Sequence, residues 1–191
     1  LRMTGRLLRQ EENGATPNYT RFIMTFPHGR IFFIDPRRFM TITWERTFPV
    51  QCGPEPLPRI DPAYMTGRGK NRKGPIKTFL LDQTVIAGIG NIYACEILHL
   101  AEIAPMRPVC SLDAQQWQRL LSAADAILNK AVKCRGTSIS DWRDFNGQKG
   151  TFQNELRVYG RDSLPCPRCG ATVVRCSLGG RGTYFCPECQ T

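Results

Sequence analysis

Four cysteines close to the C-terminus, Cys166, Cys169, Cys186 and Cys189, form two C-x-x-C pairs around a short stretch rich in hairpin signals. No other feature restricts the fold as tightly, because each pair brings two thiolates together from one tight turn. Thr172 to Cys176 and Thr183 to Cys186 read as strands that draw the two turns around one tetrahedral ion. The pattern predicts a zinc-ribbon β-hairpin holding one structural Zn2+. Four thiolates leave no open coordination position, so the ion is expected to hold the hairpin and not to activate water. The alternative is two disulfides in a secreted domain. The chain has nine cysteines, an odd number that cannot all pair internally, and this favours a reducing compartment with a metal site. Cys52, Cys95, Cys110, Cys134 and Cys176 are left over. Cys95 and Cys134 fall within helical patterns as small buried apolar residues, and Cys176 is a spare thiol near the metal.

The remaining chain has the composition of a globular protein, with 191 residues of which 41% are hydrophobic. It contains no apolar run long enough to span a bilayer and no visible signal peptide, so a cytoplasmic chain that does not span a membrane is expected. The formal charge of +10 suits a polyanionic partner such as nucleic acid or an anionic membrane surface. Much of it is concentrated in Arg68, Lys70, Arg72, Lys73 and Lys77, with no acidic residue between Asp61 and Asp82. A solvated basic loop is the plain reading of that stretch. Its place just ahead of a glycine-rich helix start favours phosphate contact instead.

Three β segments are expected first, Arg2 to Leu8, Arg21 to Phe26 and Arg30 to Ile34, separated by Asn13-Gly14 and Pro27-His28-Gly29 turn signals. Alternation of Phe22, Met24 and Phe26 predicts a buried face on the second. Leu1 does not look like a natural start, so the chain reads as a fragment whose strands have lost partners and expose their edges. Pro49 to Pro62 reads as an extended linker. Helices are expected at Ile76 to Leu81, Ile92 to Leu100 and Leu112 to Lys133, the last with Ser111 as N-cap. Its stripe of Trp117, Leu120, Leu121, Ala124, Ile127, Leu128, Ala131 and Val132 marks a core-facing side.

Two further groups of residues carry chemistry. Gly88-Ile89-Gly90-Asn91 opens a helix, so its amides and the positive helix end can aim at one phosphate, as can Arg181 in the hairpin turn Gly179-Gly180-Arg181-Gly182. An ordinary hairpin turn is the alternative for the second. Asp35-Pro36-Arg37-Arg38-Phe39 sets guanidinium groups beside an aromatic ring, a combination able to read bases and wedge a base step, or else a core Phe with surface arginines.

Together, Leu1-Arg2-Met3-Thr4-Gly5, Asp35 to Phe39, Leu81-Asp82-Gln83 through Ala87 to Ala94, Val158-Tyr159-Gly160-Arg161 and the Cys166 to Gln190 ribbon resemble the bacterial formamidopyrimidine-DNA glycosylase family over the whole chain. The resemblance implies an α+β fold. Residues 1–48 would be the remainder of an antiparallel β-sandwich, 49–62 a linker, 63–155 a helix-two-turns-helix domain and 156–191 a zinc finger. It further implies a monomer that clamps damaged double-stranded DNA in the bacterial cytoplasm, at the nucleoid, and excises oxidised purines such as 8-oxoguanine and formamidopyrimidines. By motif, Met3 and Arg37 would fill the space left by the flipped lesion and Phe39 would wedge beside the estranged base. Arg72, Lys77, Asn91 and Arg181 would contact the DNA backbone, with Tyr159 a further contact. Arg181 would also act in the late elimination step. Asn146, Gly147, Gln148, Lys149, Gly150 and Thr151 match the loop that covers the everted base.

The chain departs from the family in ways that bear on activity. Family members attack with the secondary amine of an N-terminal proline, assisted by an adjacent glutamate and a later lysine, all in a stretch that would precede Leu1. The Leu1 amine has neither that sequence context nor that position, so the chain alone is expected to bind better than it cuts. Asn18-Tyr19-Thr20 stands where relatives often carry a histidine-containing contact. Three rival readings remain. One is an endonuclease VIII-like glycosylase for oxidised pyrimidines, against which Arg37-Arg38-Phe39 and Asn91-Ile92-Tyr93-Ala94 weigh. The others are a non-catalytic damaged-DNA binding protein and a zinc-ribbon module of transcription or ribosomes.

Overall fold

The computed structural model describes residues 5–11, 14–44, 46, 52–58, 60–139 and 142–191. The chain divides into residues 1–49 with 131–155 and residues 50–130 with 156–191. The boundary at 130/131 falls within the last turn of a long helix, where the sequence alone placed all of 63–155 in one domain.

In the first unit, β1 (Arg6–Gln10), β2 (Thr20–Phe26) and β3 (Gly29–Ile34) form an antiparallel sheet in the order β1-β3-β2. Central β3 sets Phe32 opposite both Leu8 and Ile23, and Phe32 and Ile34 are fully buried. The expected buried face of β2 is not observed. Phe22, Met24 and Phe26 are 45%, 40% and 45% exposed, because no element among the described residues packs over that face of the sheet. The Arg9 N–H donates to the Phe145 carbonyl at 2.9 Å, tying the returning segment to the free edge of β1.

The second unit begins with a helix that sequence reading placed partly in the linker and partly in the basic loop. α1 (Pro62–Gly69) starts at Asp61, whose carboxylate accepts the Ala63 N–H at 3.0 Å, and Pro62 supplies a pre-set first position. At its end Gly69 packs so closely on Trp117 that a Cβ would meet the ring at 2.6 Å. Two more helices follow, α2 (Ile76–Leu80) and α3 (Asn91–Ala101). α3 is closed by Glu102 in the left-handed conformation at φ 60° and by the Ile103 N–H bond to the Leu98 carbonyl.

The long helix α4 (Ala114–Lys133) is not capped by Ser111, which lies in a 3-10 turn and donates to the Pro108 carbonyl. Asp113 does the capping: its carboxylate accepts the Gln116 N–H at 2.7 Å while the Gln116 side chain accepts the Asp113 N–H at 3.0 Å. Trp117, Leu120, Ala124 and Leu128 of the expected stripe are buried and the first meets Phe79 edge-on, whereas Val132 is 67% exposed. Met65, Ile76, Leu80, Ile86, Ile97, Leu98 and Leu120 make one apolar core.

After this core the chain forms the hairpin of β4 (Val174–Leu178) and β5 (Arg181–Phe185). The first expected strand, Thr172 to Cys176, starts two residues too early, and the second, Thr183 to Cys186, two residues too late. β4 begins only after the first cysteine turn has closed, and the two-residue turn of Gly179 and Gly180, at φ 58° and 71°, lets β5 begin at Arg181. One buried carboxylate joins this segment to the helices. Glu96 of α3 accepts the backbone N–H groups of Arg157, Val158 and Tyr159 at 2.9, 3.0 and 2.8 Å. Burial pushes its carboxyl up, and the three donors work in the opposite sense.

Glu96→Gln keeps the volume but turns one acceptor into a donor facing an N–H group. It is expected to destabilise the protein by about 2–3 kcal/mol in urea unfolding, the cost of charge-assisted bonds lost to an unsatisfied pair.

Candidate metal centre and nucleic-acid interface

The Sγ atoms of Cys166, Cys169, Cys186 and Cys189 all lie within 4.8 Å of one another, with Cys166–Cys189 at 3.9 Å and Cys169–Cys186 at 3.5 Å. A Zn–S bond of about 2.3 Å in a tetrahedron requires sulfurs about 3.8 Å apart, so the quartet fits a closed Zn2+ site. Its two turns are built alike. The Gly170 N–H bonds the Cys166 carbonyl with Gly170 at φ 80°, and the Gln190 N–H bonds the Cys186 carbonyl. The Gln190 side chain accepts from the Cys186 N–H and donates to the Ile103 carbonyl, each at 2.9 Å.

Local fields already separate the thiols. Burial works to raise Cys166, but N–H groups of Arg168 and Cys169 and the neighbouring thiols overcome it and bring it down to about 7. Cys189 is pushed up by burial and then by those same thiols. His99 of α3 stands 3.4 Å from the Cys166 sulfur through Nε2. Burial, reinforced by Arg168 and Arg157, pushes its pKa down to about 4, so the ring is neutral. A thiolate can only accept, which places the ring proton on Nε2 and leaves buried Nδ1 without a partner. Arg168, between the first two cysteines, pairs with Glu102 at the end of α3.

The opposite end of the hairpin meets the helices at one carbonyl. Gly182 O accepts the Asn91 side-chain amide at 3.0 Å and the Lys77 ammonium at 3.2 Å. Lys77 also donates to Thr183 Oγ1 at 2.7 Å, and that hydroxyl donates to the Arg181 carbonyl at 3.2 Å. The sequence expectation that Lys77 offers its charge to a DNA phosphate needs correction here. Lys77 is fully buried and its ammonium is taken up by the hairpin, because it lies on the inward side of α2 and not in the loop before it. Arg181 itself is exposed, and Thr78 of α2 touches the position a Cβ of Gly179 would take, at 3.0 Å.

The other anticipated contacts are distributed along both units. Arg72 is exposed on the turn after α1, where its carbonyl accepts the Cys110 N–H. Tyr159 packs against Tyr184 of β5 with ring centroids 4.9 Å apart and the rings tilted by 56°. In the sheet unit, buried Asp35 accepts the N–H groups of Arg37 and Met40 and so shapes the loop that follows β3. The Arg37 guanidinium lies 4.7 Å from the centre of the Phe39 ring, which is 50% exposed. Met3 lies outside the described residues. The loop containing Asn146, Gly147, Gln148, Lys149, Gly150 and Thr151 turns around Asp144, whose carboxylate accepts the N–H groups of Asn146 and Gln148 at 2.9 and 2.8 Å. It is closed by Ser138, which accepts the Gly150 N–H, and Gly150 passes so near the Gly136 carbonyl that a Cβ would sit 2.2 Å away.

Sequence reasoning missed Glu96, His99, Thr183 and Gln190. For the first two a signal existed, since ionisable residues interrupt the otherwise apolar run Ile92 to Leu100. Such interruptions in a core helix mark polar work to be done there.

Residues 52–143 match the family described as the formamidopyrimidine-DNA glycosylase H2TH domain, and residues 163–191 match the zinc finger found in FPG and IleRS. The formamidopyrimidine-DNA glycosylase of Desulfitobacterium hafniense is 42% identical over 198 residues, covering 100% of this chain and 72% of the relative. That of Chloroflexus aurantiacus is 40% identical over 197 residues, covering 100% and 71%. Among solved structures, Lactococcus lactis Fpg in complex with abasic-site DNA superposes with a TM-score of 0.88 at 34% identity, covering 100% of this chain and 73% of that one. MutM in complex with DNA containing carbocyclic 8-oxo-G gives 0.87 at 34%, with 100% and 72% covered.

Chelating the zinc is expected to abolish amide protection in β4 and β5 while α1 to α4 keep theirs. Metal analysis with hydrogen exchange checks this, with one zinc per chain before treatment.

Proposed function

The chain belongs to the formamidopyrimidine-DNA glycosylase family, and from that premise we propose that it serves base-excision repair by binding duplex DNA at oxidised purines. The observation that carries this reading is the exposed Arg181 on a hairpin turn whose other end is set by four convergent cysteines. A guanidinium held in this way can pair with a phosphate without first ordering its backbone. Zn2+, when bound, supplies the crosslink that joins the two cysteine turns at the far end of the hairpin, and the closed thiolate set gives it no part in the chemistry.

In this reading Arg37 enters the space of the everted nucleotide and Phe39 wedges beside the estranged base. Their mutual contact supports it, because a guanidinium stacked on a ring presents one flat surface to a base step. The Asp144-centred loop at residues 146–151 covers the flipped base. Arg72, Asn91, Tyr159 and Arg181 line the backbone, and Arg181 assists the late elimination. The setting is the bacterial cytoplasm, with DNA as partner; among the described residues no helix is long and apolar enough to cross a membrane.

The glycosylase and lyase steps require an unprotonated amine placed at the sugar carbon. The family resemblance implies that an N-terminal proline forms a bond to C1′ as the glycosidic bond breaks, and that elimination from the resulting imine cuts the strand. A polypeptide made of residues 1–191 alone offers a leucine amine in its place. Borohydride treatment of that polypeptide on an 8-oxoguanine duplex is expected to trap no covalent complex, and a trapped adduct would refute the assignment.

Binding itself is expected to weaken steeply with salt. Arg72→Ala and Arg181→Ala should each lower the log–log slope by about 1, and a slope unchanged in both removes them from the interface.

A further inference from the structure

Lys77 is a buried ammonium whose two hydrogen-bond acceptors, Gly182 O and Thr183 Oγ1, are both neutral. A cation in such a place is costly compared with an apolar side chain of the same length. Burial drives its pKa below the ordinary lysine value against the opposing pull of Cys95 and Cys176, and nearby Arg181 acts in the same sense as burial. Stability alone therefore gives no reason for a lysine at this position. Geometry does, because both acceptors belong to the residues immediately after Arg181.

Register sharpens the point. Gly182 O takes two side-chain donors, Lys77 from α2 and Asn91 from the first position of α3. These come from different elements and occupy both lone pairs of the carbonyl, fixing the orientation of that peptide plane. Thr183 Oγ1 accepts from Lys77 and donates to the Arg181 carbonyl, so the same ammonium reaches the peptide on the other side of Gly182 through one hydroxyl. Thr183 is fully buried and opposite Cys176 in the hairpin, on the strand face turned toward the helices.

We infer that Lys77 and Thr183 are positioning residues for Arg181: they fix the backbone from which the arginine projects and do not themselves touch DNA. This rests on the reading of Arg181 as a DNA-facing residue. Lys77→Met retains the buried stem and removes only the donor. Thr183→Val removes the relay and keeps the β-branched shape. Both are expected to load one zinc per chain as the parent does.

The test uses the zinc-loaded 191-residue chain in two measurements. Without DNA, Lys77→Met should raise amide exchange at Gly182 and Thr183 about tenfold, the factor one lost charge-assisted bond carries, and Thr183→Val should act in the same direction. Unchanged exchange in both overturns the clamp. With a duplex containing a tetrahydrofuran abasic analogue, Lys77→Met should weaken binding alone and have no further effect in an Arg181→Ala background. Additive losses, with the salt slope of the double variant falling by about 2, would mean that Lys77 meets a phosphate directly and would overturn the inference. An Arg181→Ala variant that binds like the parent sinks the DNA-facing reading and the positioning role with it, an outcome told apart from a failed clamp by the exchange data.

Discussion

Convergence of four thiolates on one point is the constraint from which the ribbon follows. The buried residues of its small core are Cys95, Val158, Cys166, Val173 and Cys186, so two of the five are themselves ligands. So little apolar surface cannot order two five-residue strands and their turns by burial alone, since each ordered residue costs about 1–2 kcal/mol in backbone entropy. The metal crosslink supplies what the apolar core lacks. The glycine turn of the hairpin, far along the strands from the ligands, is then held by hydrogen bonds to helices and not by the ion.

α3 is the element that transmits this order, because its two sides do different work. Ala94, Ile97, Leu98 and Ala101 recur at helical spacing and face the apolar core of the unit. Asn91, Cys95, Glu96, His99 and Glu102 lie on the other side and meet the ribbon in sequence: the hairpin turn, the small core, the backbone of residues 157–159, the Cys166 sulfur and Arg168. The contacts are polar and directional, so they fix the register of ribbon on helix in a way that apolar packing of the same area would not. A shift of the ribbon along α3 would break several of them at once.

What the sequence revealed and what it hid divide along the same physical line. The cysteine quartet, the stripe of α4 and the Asp35 to Phe39 loop are local patterns, legible because spacing along the chain sets their geometry. Lys77 was misread because composition assigns a lysine among other basic residues to solvent, whereas the inward turn of α2 is decided by Ile76, Phe79 and Leu80 packing on residues far away in sequence. Ser111 and Asp113 are both good caps, and only the reciprocal bond with Gln116 chooses between them. α1 was hidden by proline and basic residues that disfavour a helix on composition, although the Asp61-Pro62 start was there to be read. The open face of β2 shows the reverse limit: alternation shows which side of a strand is apolar, not that anything covers it.

The two units arrive at one design by different means. In the sheet unit a buried carboxylate, Asp35, binds the N–H groups of Arg37 and Met40, and Arg37 projects from the backbone thus fixed. In the helical unit a buried ammonium, Lys77, and the Asn91 amide bind the carbonyl after Arg181, and Arg181 projects from that turn. In each case the buried polar group acts on main chain and leaves the guanidinium in solvent. The backbone entropy of both loops is thereby lost on folding, before any ligand is met, and only side-chain freedom remains to be lost on binding. A surface arginine on a loose loop would lose both together. In both loops costly buried polar residues, and not the exposed basic ones, set the backbone from which the arginines project.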